Sequence, residues 1–141
     1  MAKRYGVDLH ITRELLQIGV MCAHQQRFED AETIIRGVKA FRGDLPHPGT
    51  ALATMFLFAG RLAEAAEELE SVLAEFPHHQ LGKALLGLVY RETRSGGWQR
   101  LLEEVMADGQ DEAAVELARF CLGLEGESRS STLLATSHHY A

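Results

Sequence analysis

Cysteine is scarce in this chain of 141 residues: Cys22 and Cys121 are the two, too few for a disulfide framework. Cys22 falls among apolar residues at helical spacing, so it reads as a small buried side chain with a reduced thiol. No apolar run approaches the roughly 20 residues needed to cross a bilayer. The most apolar one, Leu15 to Ala23, is interrupted by Gln17. No secretory signal stands at the start either, because Lys3 and Arg4 are followed by Asp8, His10, Arg13 and Glu14, which break any apolar stretch. These absences point to a cytoplasmic protein without membrane insertion.

Basic charge is also in short supply. The formal net charge is −6, made of +1 over residues 1–60, −6 over residues 61–124 and −1 over the remainder. Nucleic-acid-binding proteins carry a basic stripe to meet the phosphates, so acidity in the second half excludes that class of partner. Constellations that do chemistry are missing as well. His10, His24, His47, His78, His79, His138 and His139 are scattered. None makes the paired helical or cysteine spacing that zinc requires. Ser71 and Cys121 have no histidine and acid identifiable as partners. Gly96-Gly97 leads into Trp98 and not into the Lys-Ser/Thr of a phosphate-binding loop. No residue is assigned to catalysis, to a cofactor or to a metal, and the chain does not read as an enzyme.

What is present is helical periodicity, most clearly over Gly60 to Pro77. Gly60 opens a tight turn, a place where a residue without Cβ can take φ > 0 at little cost. Leu62, Ala65, Ala66, Leu69, Val72, Leu73 and Phe76 then recur at helical spacing, with Glu64, Glu67, Glu68, Glu70 and Glu75 between them. Those glutamates form the solvated side of an outer helix. Pro77 stops the helix, having no N–H to donate and disfavouring helical backbone at Phe76. An apolar-periodic run from Ala51 to Ala59 precedes the turn, so the unit is helix, turn, helix, proline.

The unit repeats every 34 residues. Ala31, Ile35 and Val38 align with Ala65, Leu69 and Val72; Ile18-Gly19 aligns with Leu52-Ala53 and Leu86-Gly87; Cys22 aligns with Phe56 and Tyr90. A 34-residue helix-turn-helix period is the spacing of a tetratricopeptide array. The small residues Gly19, Ala53, Gly87, Ala31 and Ala65 are expected where paired helices cross closely.

In chain order, the spacing predicts helices from about Asp8 to His24, Phe28 to Phe41, residues 50–59, residues 61–76, His78 to about Arg94, Trp98 to Met106, and Gln110 to Leu124. The first is apolar over more than one stripe, as expected of a helix contacted from two sides. Gly37, inside the second, implies close packing or a late fray, since it costs roughly 1 kcal/mol relative to alanine. Residues 43–49 read as a link between units. The fold is therefore all-α: a right-handed superhelix of about three hairpins, over residues 8–42, 46–77 and 78–107, with a capping helix at 110–124. Trp98, beside Leu101, Leu102 and Tyr90, is expected to plug the core under that cap. Residues 1–6 are expected to fray and residues 125–141, rich in Ser, Thr and Gly, to be disordered.

Resemblance to the tetratricopeptide family implies that the first helix of each hairpin lines a concave groove. The groove residues so implied are Arg13, Leu16, Val20, Ala23 and His24; His47, Thr50, Thr54, Leu57 and Phe58; and Leu81, Ala84, Leu88, Arg91 and Glu92. This set is a mostly apolar trough with a charged rim, and an exposed apolar trough needs a partner. A helix laid in through i, i+3, i+4 and i+7 anchors fits it; the open alternatives are the tail, the N-terminus or a second copy.

A narrower resemblance rests on two stretches. Phe76-Pro77-His78-His79-Gln80-Leu81-Gly82-Lys83-Ala84-Leu85-Leu86 is one, and Trp98-Gln99-Arg100-Leu101-Leu102-Glu103-Glu104-Val105-Met106 followed by Asp108 to Ala118 is the other. They are similar to the bacterial Hrp-type (HrpB/HrpK-like) type III secretion accessory family, over about residues 10–123, and so to the YscG-like needle chaperones. The resemblance implies a protein partner: the amphipathic helix of a needle-type secretion subunit, kept from assembling too early, with or without a small co-chaperone. It leaves open a self-associating structural assembly factor, as a homodimer or in the periplasm or envelope.

Overall fold

The computed structural model describes residues 8–123. The expectations of a frayed start and a disordered tail fall outside them. Among the described residues there are seven helices and no strand: α1 Leu9–His24, α2 Phe28–Phe41, α3 His47–Phe58, α4 Leu62–Glu75, α5 Gln80–Glu92, α6 Trp98–Asp108 and α7 Glu112–Leu122. Consecutive helices pair as hairpins α1/α2, α3/α4 and α5/α6, and α7 packs on both α5 and α6. The second helix of each hairpin also packs on the first helix of the next.

The repeat is written into the turns. Gln26, Gly60 and Arg94, spaced 34 residues apart, all take positive φ, at 64°, 75° and 57°. The residue after each donates its N–H to a carbonyl five positions back: Arg27 to Cys22 at 2.8 Å, Arg61 to Phe56 at 2.8 Å and Ser95 to Tyr90 at 2.7 Å. That bond satisfies a carbonyl the helix end would leave unpaired. In the first two units the next arginine grips an acid in the first turn of the following helix, Arg27 with Asp30 and Arg61 with Glu64. The third unit replaces that clamp with Gly96-Gly97, which delays α6.

The hairpins close on small residues. A Cβ on Gly19 would lie 2.6 Å from Ile35 Cγ1, and one on Gly87 would lie 2.6 Å from Leu102 Cδ2. Ala31, Ala53 and Ala65 are fully buried at the matching crossings. Gly37 behaves otherwise: a Cβ there would meet nothing within 4 Å, and α2 runs on to Phe41. The expected close packing or fray is absent because Gly37 sits on the exposed side of a helix held by Ala31, Ile35 and Val38.

Helix ends differ from the periodicity by a few residues. α3 begins at His47 instead of residue 50, because Pro48 occupies the first turn, where a missing N–H breaks no bond. α5 is shorter than 78–94: His79 is extended at its start, and Arg94 turns left-handed beyond its end. α7 starts after Asp111, whose carboxylate accepts from Ala114 N–H, and ends at left-handed Gly123.

Two clusters make the core. The larger spans α1 to α5 around Ile35, Leu52, Met55 and Leu69; the smaller joins Ala84 of α5 to Leu102 and Val105 of α6 and Ala114, Ala118 and Cys121 of α7. Trp98 is half-buried against the smaller cluster, a flank of the cap more than its plug. The glutamates of α4 do more than face water. Glu67 and Glu75 are exposed, but Glu68 pairs with Lys39 of α2 at 2.6 Å and Glu70 accepts from the Tyr90 hydroxyl of α5. The outer helices are thereby tied to their neighbours.

The inner wall as candidate binding site

α1, α3, α5 and α7 stand side by side, α1 against α3 and α5 against α7. Side chains bridge them along the wall they share. At one end Arg13 of α1 faces His47 of α3, His47 meets the ring of His79 edge-on with centroids 5.7 Å apart, and His79 Nε2 lies 2.9 Å from the Thr50 hydroxyl. At the other end the His24 ring of α1 lies 5.0 Å from the Phe58 ring of α3. Arg91 of α5 reaches Cys121 of α7 and pairs with Glu92 at 3.6 Å.

The structure sorts the residues that the sequence placed on this wall. Ala23, Thr50 and Ala84 are buried in the seams between helices. Leu16 is nearly so, and forms the floor of an apolar depression of about 420 Å³ shared with Gln17, Val20 and Met21. Leu81 and Leu88 are half-buried against the cluster built with α7. Val20, Thr54, Leu57 and Arg91 are half-open; Arg13, His24, His47, Glu92 and Phe58, the last 45% exposed, are open to solvent. Of these residues, the apolar ones that keep accessible surface are Val20, Leu57 and Phe58, besides the half-buried Leu81 and Leu88; Arg13, His24, His47, Thr54, Arg91 and Glu92 are the accessible polar ones.

The polar end holding the histidine pair was not legible in the sequence. Adjacent histidines at a helix start read as solvated, yet His79 caps α5 with its ring turned back onto α3. A Cβ on Gly82 would lie 2.9 Å from that ring, so glycine there makes room for it. The signal was Thr50, one residue type able to bond a ring nitrogen, 29 positions upstream. Partial desolvation by the neighbouring side chains, at the solvent-facing His47 as well as the half-buried His79, pushes both imidazoles below their ordinary 6.5, helped by Arg13 at His47 and by His47 at His79, while Asp111 opposes the shift at His79. Neutral rings are therefore favoured in the fold.

Among the described residues no three of His, Cys, Asp and Glu converge as a metal site would need, and no helix is long and apolar enough to cross a membrane. Cys121 is buried, and its thiol is pushed up by that burial against the pull of Arg91.

Comparison with known proteins places the architecture. The family model described as "Bacterial type III secretion protein (HrpB1_HrpK)" matches residues 5–126. No curated protein matches the sequence. Among solved structures, the crystal structure of the Sgt2 TPR domain from Aspergillus fumigatus superposes with a TM-score of 0.65, at 16% identity, covering 82% of this chain and 78% of that one. That likeness carries the fold alone.

Proposed function

The chain belongs to the HrpB1/HrpK family of bacterial type III secretion proteins, built as a tetratricopeptide-like helical repeat, and on that premise we propose that it holds an amphipathic helix of a secretion subunit against its inner wall. The role is binding without catalysis: a needle-type subunit, which polymerises once exported, is kept from assembling early. Such a task belongs in the cytoplasm, where subunits wait before export.

The observation that carries this reading is the open state of Phe58. A phenylalanine left 45% exposed, against the His24 ring and next to the half-open Leu57, is an apolar surface awaiting a cover. The accessible apolar residues on the first helices of the hairpins, with Arg13, His47, Arg91 and Glu92 as polar neighbours on those helices, suit an amphipathic helix lying across them.

Full burial of a side chain such as Phe58 contributes about 1.5–3 kcal/mol. Removing that contribution corresponds to a loss of roughly ten- to a hundredfold in affinity. The test is titration of a labelled peptide carrying the C-terminal amphipathic helix of the subunit into the wild type and into Phe58→Asp, with far-ultraviolet dichroism confirming an intact fold. At least tenfold weaker binding is expected; undiminished binding to the folded variant sinks the groove reading.

A further inference from the structure

We propose that the outer side of α1 is a self-association surface, on which a second copy of this chain packs its own α1. Among the described residues eight large apolar side chains are exposed, and five of them lie on this one helix; Ile11, Leu15 and Ile18 share its outer side, while Met21 stands at the flank toward the inner wall and Leu9 lies on the opposite face at the helix start. The other three, Phe41, Phe58 and Phe120, lie on three different helices. The sequence led us to expect α1 to be contacted from two sides; in the structure one of those sides is bare.

The repeat explains what is missing. Ile18 corresponds at the 34-residue offset to Leu52 and Leu86, and Met21 to Met55 and Val89. Ile18 and Met21 are 47% and 60% exposed, whereas Leu52, Met55 and Val89 are 0% exposed and Leu86 4%. The second and third units each have a preceding hairpin whose outer helix packs on them, α2 on α3 and α4 on α5. Among the described residues no helix packs on the first unit in this way. Its bare side thus has the shape and chemistry that an amphipathic helix covers twice elsewhere in the same molecule.

Two features select a second copy as the occupant. Ile11, Leu15 and Ile18 follow at spacings of four and three, the seam by which helices pair, and among the described helices α1 alone has such a free stripe to offer. Antiparallel pairing about a two-fold axis sets Leu15 of one copy against Ile18 of the other, a self-complementary contact that closes on itself. Charge agrees: residues 1–60 carry +1 and residues 61–124 carry −6. Pairing through α1 apposes the nearly neutral halves and keeps the acidic halves apart.

The test is sedimentation velocity of the full chain across a micromolar to submillimolar series. A monomer–dimer equilibrium is expected, weakened at least tenfold by Ile18→Glu and by Ile11→Glu and unchanged by Phe120→Glu, with dichroism unchanged in all three. Two solvent-exposed sites guard against one variant failing to fold. A wild type that stays monomeric over the whole range overturns the proposal, as does a dimer that both α1 variants leave intact. Peptide binding at Phe58 is measured separately, so failure of this surface is distinguishable from failure of the groove.

Discussion

Replacing Gly87 by alanine should destabilise the protein, although the same replacement at Gly37 should stabilise it. Both glycines lie inside helices, where glycine is worse than alanine by about 1 kcal/mol, partly through the freedom it gives the unfolded chain. At Gly37 that is the whole effect, since a Cβ would meet nothing within 4 Å. At Gly87 the new methyl would stand 2.6 Å from Leu102 Cδ2, 2.8 Å from its Cγ and 3.4 Å from the Trp98 carbonyl oxygen. Carbon atoms sit comfortably at about 3.5–4.0 Å, so α5 and α6 must part by about 1 Å or Leu102 must leave its rotamer. Leu102 is fully buried and has little room to do so. Overpacking of this kind costs about 1–3 kcal/mol, which outweighs the propensity gain and leaves a net loss of up to about 2 kcal/mol. Urea denaturation followed by dichroism at constant m-value reads both variants, with Tm separating by several degrees per kcal/mol for a domain of this size. If Gly87→Ala gains stability as Gly37→Ala does, the hairpin crossing is looser than described and the reasoning fails.

Ile35→Ala, which empties the fully buried side chain wedged against Gly19, should cost about 2–5 kcal/mol by chemical denaturation. Tyr90→Phe removes the hydroxyl that donates to Glu70 across α4 and α5. It should cost about 0.5–1 kcal/mol at this exposed site, and its loss should abolish the phenol titration that the Glu70 bond, burial and the Glu70 charge push up to about 12. For His47 and His79 the folded pKa lies below the ordinary 6.5, so the unfolded chain takes up protons first. Their contribution is complete above about pH 7 and is lost as pH falls from 6.5 down through the lower folded values; a melting series from pH 7.5 to 5.5 should show Tm falling, and His79→Gln should flatten it. Asp44 and Glu64, held below their ordinary values chiefly by hydrogen bonds from Arg42 and Arg61, titrate in a lower window and leave the histidine one clear.

The architecture was legible because it repeats. A single amphipathic stretch fixes a helix, but Ala31/Ala65 and Gly19/Ala53/Gly87, recurring at one offset, fix the way helices pair; the matching left-handed turns at Gln26 and Arg94 show only in the structure. The inner wall was legible only as a set of positions. Which of them remain open depends on how far neighbouring helices lean together, and that is decided by side chains elsewhere: α7 half-covers Leu81 and Leu88, while the seams swallow Ala23, Thr50 and Ala84. The histidine pair escaped notice because its partner lies in another unit and the ring turns against the direction its position suggests. Gly37 misled for a local reason, since its cost is a helix property and its surroundings are not.

A stacked array has two ends and a trough, and α1 borders both the trough and one end. Successive residues turn by about 100° around a helix, so Val20 on the inner wall and Ile18 on the bare side point about 160° apart. A ligand helix on the first need not touch a second copy on the second, and a dimer formed through α1 would present two separate grooves. At the far end α7 closes the stack, burying Ala114, Ala118 and Cys121 beneath it and turning Glu112 and Phe120 outward. The asymmetry has a consequence for assembly. Capped by α7 at one end and bare along α1 at the other, the described helices offer a stripe for one pairing and no second stripe for a third copy, so the proposed dimer would not propagate through them. Such a limit suits a protein whose proposed cargo polymerises: two cargo helices could be held near each other on one dimer, yet no fibre of the holder itself would grow. Ile18→Glu should therefore abolish pairing while leaving peptide affinity within about twofold, and Phe58→Asp should do the reverse, since distant sites without shared partners act independently. Loss of both functions in either variant would mean that the two sides of α1 are coupled through the helix and that one occupant senses the other.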